Sequence, residues 1–245
     1  MTMTTTTLAL LPGLMCDAAV WSPLFPYLPP TVRPWVVDYG DLDDLGAMAD
    51  LVLQQVPAER FALAGHSMGG RVALEVVRKA PGRVSHLALM DTGYLARPAG
   101  AAGEHEAQKR HALLQIARTE GVRAMAQTWV LDMVHPARLQ DSALIEDVLA
   151  MFGRKSADTF ACQIAALLAR PDASPVLQSW RKPTLLLCGA QDGWSPPTQH
   201  AAMQALLPDA LLAVVDLAGH MAPMERPQAV AQRLCDYLQR KEDLA

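Results

Sequence analysis

Residues 61–74 read FALAGHSMGGRVAL, and a serine stands between glycines where an apolar run gives way to a helical pattern. Phe61-Ala62-Leu63-Ala64 has no alternation of polar and apolar positions, as expected of a strand covered on both faces. From Arg71 to Lys79 the apolar residues Val72, Ala73, Val76 and Val77 recur at helical spacing, opposite Arg71, Glu75, Arg78 and Lys79. Ser67 is therefore expected on the turn between strand and helix. Gly65-His66-Ser67-Met68-Gly69 fits the pattern G-x-S-x-G, in which strand and helix backbones approach so closely that both glycines must lack side chains.

The same reading extends outward. Short apolar segments at Leu8–Leu11, Trp35–Asp38, Phe61–Ala64, Val84–Met90, Thr184–Cys188 and Leu211–Asp216 are bounded by Gly, Pro or Asp. Helical patterns at about 43–55, 70–79, 198–206 and 228–240 fall between most of them. Strand alternating with helix predicts a doubly wound, mostly parallel α/β sheet of about six strands. In such sheets functional groups collect beyond the carboxyl ends of the strands. The rhythm breaks between Met90 and Thr184, where only amphipathic helices are predicted (104–119, 122–133, 138–153 and 157–169). Residues 95–178 are expected to form an inserted helical cap, with 1–94 and 179–245 as the core.

A serine hydroxyl needs a base to become a nucleophile, and the base needs an orienting carboxylate. Asp192 follows the strand LLLCG in the loop GAQDGWSPP, and His220 follows the last strand in AGHMAPMERP. Both are placed just past strand ends, on the edge where Ser67 emerges. Asp91 also ends a strand and competes for the acid role. Asp216 is read as lying inside the last strand, too early to reach, and His66 as packing. The backbone N–H groups of Met68, at the helix start, and Leu14, after Pro12-Gly13, are candidates for an oxyanion hole. Trp129, Met125 and Met133 share one cap segment and Trp194 follows the acid; these four are candidates for an apolar substrate pocket.

Composition narrows the setting. Of 245 residues, 51% are hydrophobic and the formal net charge is −4, which argues against nucleic acid or an anionic membrane as partner. The N-terminal stretch has neither the charge nor the apolar length of a signal peptide or membrane span. Cys16, Cys162, Cys188 and Cys235 show no metal or disulfide spacing, so reduced thiols in the cytoplasm are expected. No histidine has metal-ligand partners, and no metal or cofactor is expected.

The chain resembles α/β-hydrolase-fold serine hydrolases of the small capped type, a group that includes pimeloyl-carrier-protein methyl ester esterases and related carboxylesterases. GHSMGG, GAQDGWSPP and GHMAPMERP carry the resemblance. It implies Ser67 as nucleophile, His220 as base, Asp192 as its orienter, and Met68 and Leu14 in the oxyanion hole. Two departures stand out: Pro12-Gly13 where many relatives have His-Gly, and a first strand at Leu8–Leu11 that leaves no room for two leading strands. An all-parallel six-stranded sheet with an edge at Trp35–Asp38 is expected, and a homodimer is one way of covering that edge. The implied reaction is hydrolysis of small to medium apolar carboxylic esters through an acyl-enzyme. Alternatives on the same scaffold are thioesterase, C–C hydrolase, lyase or perhydrolase chemistry, or a ligand-binding receptor with slow turnover. Residues 95–175 hold nine Lys or Arg and nine Asp or Glu, so this segment offers no basic dock for an acidic carrier protein.

Overall fold

A computed structural model describes residues 5–240, so the first four residues of the N-terminal stretch lie outside it. The strands are β1 (Thr6–Leu11), β2 (Val32–Val36), β3 (Phe61–His66), β4 (Val84–Met90), β5 (Thr184–Gly189) and β6 (Leu211–Val215). All pair in parallel, in the order β2-β1-β3-β4-β5-β6. Every residue of β3 and β5 is buried, which explains why those segments read as unbroken apolar runs.

The helices are α1 (Leu45–Gln55), α2 (Met68–Lys79), α3 (Ala101–Thr119), α4 (Val122–Trp129), α5 (Ser142–Gly153), α6 (Ala157–Leu168), α7 (Ser174–Ser179), α8 (Pro197–Leu206), α9 (Ala222–Glu225) and α10 (Pro227–Leu238). Between β4 and β5 the described chain is helical or irregular, with α3 to α7 in that interval. Asp44, Asp141 and Ser156 start α1, α5 and α6 by accepting hydrogen bonds from backbone N–H groups three residues on.

Several boundaries differ from the sequence reading: β1 starts at Thr6 and α3 at Ala101, the helix read as 122–133 ends at Trp129, and the one read as 138–153 starts at Ser142. The edge strand is Val32–Val36 and not Trp35–Asp38. It bonds to β1 alone, and it carries Pro34, which an edge position tolerates because one side needs no ladder donor. Strand β6 stops at Val215, so Asp216 lies just beyond it and not inside it.

The chain runs from β1 outward to β2 and then returns to the other side of β1 as β3. The order reverses between β1 and β3, and the loops leaving these neighbours diverge there and open a crevice at their carboxyl ends. Ser67 directly follows β3, and the loop holding Gly13 and Leu14 follows β1.

Candidate active site

Four described residues other than glycine have positive φ: Met15, Ser67, Asp91 and Leu217. Each lies within a few residues of the carboxyl end of β1, β3, β4 or β6. Backbone strain of about 1–3 kcal/mol per residue persists only where surrounding structure imposes it, and it gathers at functional sites.

At Ser67 (φ 54°, ψ −117°) the imposing contacts are visible. Its N–H donates to the Met90 carbonyl at 2.9 Å. Its own carbonyl accepts from Thr92 Oγ1 at 2.6 Å. The last residue of β4 and Thr92, just beyond it, thus hold the serine's peptide groups on both sides. A Cβ on Gly65 would run into the Gly69 backbone, and one on Gly69 into the Leu11 carbonyl, so α2 starts hard against β3 and β1.

The structure brings Ser67, His220 and Asp192 together. His220 Nε2 lies 2.8 Å from Ser67 Oγ. His220 Nδ1 lies 2.9 Å from Asp192 Oδ2. A carboxylate can only accept, so the imidazole carries its proton on Nδ1 and turns the Nε2 lone pair to the serine hydroxyl. The other carboxylate oxygen, Asp192 Oδ1, accepts from the N–H groups of Trp194 and Ser195 at 2.8 and 2.9 Å. Burial alone would push this carboxyl up; the facing His220 and the two N–H donors outweigh it and hold Asp192 well below the usual carboxylate range.

The main chain of His220 is fixed as firmly as its ring. Its N–H donates to the Met133 carbonyl at 2.7 Å. Its carbonyl accepts from His66 Nε2 at 2.8 Å, so His66 does more than pack. Burial, and then the nearby His220, lower the His66 pKa to about 3, which keeps it a neutral donor. One residue earlier, the Gly219 N–H donates to Glu225 Oε1 at 2.8 Å, and the other Glu225 oxygen takes the His135 N–H at the same distance.

The His220 ring bonds Asp192 and not Asp91. Asp91 Oδ1 accepts from the Gly189 N–H at 2.8 Å. Its Oδ2 is buried without a hydrogen-bond partner among the described residues, 4.0 Å from His66 Nε2. Burial, then the Asp192 charge, push its carboxyl well above the usual range.

Met68 opens α2, and the first N–H groups of a helix have no partner within it. A Cβ on Gly13 would lie 3.1 Å from Ser67 Cβ, which places the Gly13–Leu14 backbone against the serine. Of the pocket candidates, Trp194 lies beside His220, with ring centroids 5.0 Å apart. It stacks on Trp129 at 5.4 Å, and Trp129 packs in turn on Phe152 and Phe160. Trp194 is 38% exposed whereas Trp129 is buried, so this aromatic row runs from the site's opening into the helical insertion. Met125 is fully buried on α4, and Met133 meets the site through its carbonyl. Thr92, Glu225, Phe152 and Phe160 are site neighbours that the sequence reading does not single out.

The profile of the α/β hydrolase fold family matches residues 11–227. The chain belongs to the α/β-hydrolase family. It is 30% identical over 241 residues to a pimeloyl-[acyl-carrier protein] methyl ester esterase from Aromatoleum aromaticum, across 91% of this chain and 94% of that one. A 3-oxoadipate enol-lactonase from Acinetobacter baylyi is 29% identical over 191 residues, 77% of this chain and 67% of its own. Among solved structures, a thermophilic esterase from Thermogutta terrifontis superposes with a TM-score of 0.83 and 26% identity, over 96% of this chain and 90% of that one. The family and these likenesses make the chain a hydrolase of α/β fold, similar to esterases. Among the described residues no helix is long and apolar enough to cross a membrane.

Proposed function

We propose that this α/β-hydrolase is a serine hydrolase of carboxylic esters, with Ser67 as nucleophile, His220 as general base and acid, and Asp192 as the group that orients the base. One observation carries the reading. Asp192, His220 and Ser67 form a continuous hydrogen-bonded line, 2.9 and 2.8 Å per link, that ends on a serine held in a strained turn.

The steps follow from that line. Ser67 Oγ attacks the ester carbonyl carbon while its proton passes to His220 Nε2, and Asp192 stabilises the imidazolium. Oxyanion charge builds against the N–H groups of Met68 and Leu14. The C–O bond to the alcohol breaks, His220 returns its proton to the leaving oxygen, and an acyl-serine remains. Water then attacks that acyl group, gives its proton to His220, and the acid leaves as Ser67 regains the proton.

The segment 95–178 acts as a cap over the core formed by 1–94 and 179–245. The Trp194–Trp129 row supports an apolar acyl or alkyl group of small to medium size, on a free small-molecule ester. The near-neutral cap gives a carrier protein no charged dock. The four cysteines are unpaired, which supports a reducing, cytoplasmic setting.

A panel of p-nitrophenyl acetate, butyrate and octanoate, an acyl thioester and a β-diketone tests the assignment with wild type and Ser67→Ala. Ester turnover that falls at least about 10³-fold in the variant is expected. Preference for the thioester or the diketone would move the function to another chemistry of the fold. Turnover unchanged by the substitution would remove Ser67 from the reaction.

A further inference from the structure

We propose that Gln163, on α6 of the cap, is a positioning residue for the oxyanion hole: it holds the loop after β1 in a strained turn, so the Leu14 donor is set only while the cap is seated. The inference rests on the serine-hydrolase reading above.

Gln163 is 1% exposed, and its amide spans from the cap to two core loops. Oε1 accepts from the Met15 N–H at 2.8 Å. Nε2 donates to the Gly40 carbonyl at 3.4 Å. A backbone N–H can only donate and a carbonyl can only accept, so the two partners fix which end of the amide faces which loop.

The bond falls on a peptide that has a choice. Gly13 to Cys16 form a four-residue turn, closed by the Cys16 N–H on the Gly13 carbonyl at 3.0 Å. Met15 is its third residue and has φ 62°. Positive φ at the third position marks the type II class, which favours glycine or asparagine there. A residue with a Cβ pays about 1–2 kcal/mol for it. The relaxed alternative has negative φ at that position and turns the Leu14–Met15 peptide over. That is the peptide whose N–H Gln163 accepts; turned over, it would aim the Leu14 carbonyl at Oε1, oxygen against oxygen. The Gln163 acceptor therefore selects the strained turn. Leu14, whose N–H is the proposed second oxyanion donor, is the residue about which the turn would reverse.

Other polar links join the same part of the cap to the core: Arg154 to Asp17, Lys155 to Asp38 and Thr159 to Asp41. Each involves a residue at least partly exposed. Thr159 is buried as well, but of these cap residues Gln163 is the one that bonds the Gly13–Cys16 turn itself, so lifting α6 would free the turn.

The test replaces Gln163 by methionine, which is close in shape and lacks the acceptor. With p-nitrophenyl butyrate, Gln163→Met is expected to lower kcat about 10–100-fold while KM changes less than about threefold, since a displaced oxyanion donor acts on the transition state. Affinity for a trifluoromethyl ketone, whose adduct places an oxyanion in the hole, should fall in parallel. Adding Met15→Gly to Gln163→Met should restore most of kcat, because glycine takes positive φ without cost. A residue that only filled space would not be rescued in this way. Gln163→Asn, one methylene short of the loop, carries the same expectation should the methionine variant fail to fold. A kcat within about threefold of wild type in these variants, or no rescue by Met15→Gly, overturns the proposal. Wild-type turnover that survives Ser67→Ala would instead overturn the parent reading, so the two failures are distinguishable.

Discussion

Asp91 and Asp192 lie just beyond the ends of neighbouring strands, β4 and β5, and both are buried. The same side chain meets opposite surroundings. Asp192 accepts two backbone N–H groups on one oxygen and the His220 ring on the other, and is held well below the usual carboxylate range. Asp91 accepts one N–H, leaves its second oxygen unpartnered among the described residues, and is pushed well above that range by burial and by Asp192 itself. Two buried carboxyls this close are not both comfortably charged, and the one with more donors keeps the charge. Chain position nominates both residues for the same role, and hydrogen-bond donors separate them.

The widest separation should appear in activity. Asp192→Asn is expected to lower kcat by about 10³–10⁴, because the amide no longer enforces the tautomer that presents a lone pair to Ser67. Asp91→Asn keeps the acceptor for Gly189 and should stay within about fivefold of wild type for p-nitrophenyl butyrate, as expected of a group that hydrogen-bonds neither Ser67 nor His220. Comparable losses in the two variants would erase the distinction.

Glu225 is a third buried carboxyl, and it sharpens the contrast by acting on the main chain. Replacement by glutamine keeps one acceptor and turns an NH2 group toward either the Gly219 or the His135 N–H. An unsatisfied buried donor costs about 1–3 kcal/mol, so Glu225→Gln should lower the melting temperature by several degrees, with a kcat loss of about tenfold or less. Thermal melts beside kinetics would show whether stability and activity fall together.

The smallest effect is the pH dependence of stability. A carboxyl whose folded pKa is raised stabilises fully below its unfolded value, about 3.9, and loses that contribution as pH rises through the folded pKa. Wild type should therefore lose stability relative to Asp91→Asn as pH rises above about 4. Asp192, with its folded pKa lowered, behaves in the opposite sense: its contribution is present above about 4 and is lost as pH falls through the folded value. Melting temperatures of wild type and Asp91→Asn from acid to neutral pH would reveal the diverging curves; parallel curves would mean that Asp91 carries no raised pKa.

Much of this was legible in the sequence. Buried parallel strands read as short apolar runs, and the turn at Ser67 is a local event whose geometry is written into Gly65 and Gly69. Asp192 and His220 could be placed because each follows a strand by only a few residues. What could not be read depends on contacts across strands and layers. His66 bonds a carbonyl 154 residues away, and Gln163 an N–H 148 residues away. The placement of β2 was missed because an edge strand with a proline and one bonded side lacks the uniform apolar signature of the interior. Helical spacing put Met125, Trp129 and Met133 on one stretch, yet how they meet the site is set by tertiary contacts: Trp129 stacks on Trp194, which lies beside His220, and Met133 accepts the His220 N–H through its carbonyl.

The central claim is that Ser67 carries the acyl group. Intact-mass analysis of Asp192→Asn mixed with p-nitrophenyl butyrate and quenched in acid, followed by peptide mapping, tests it most directly. A single butyryl adduct on Ser67, formed and lost at rates consistent with turnover and absent from Ser67→Ala, is the expected result. Turnover without an adduct on Ser67, or an adduct on another residue that accounts for turnover, would contradict it.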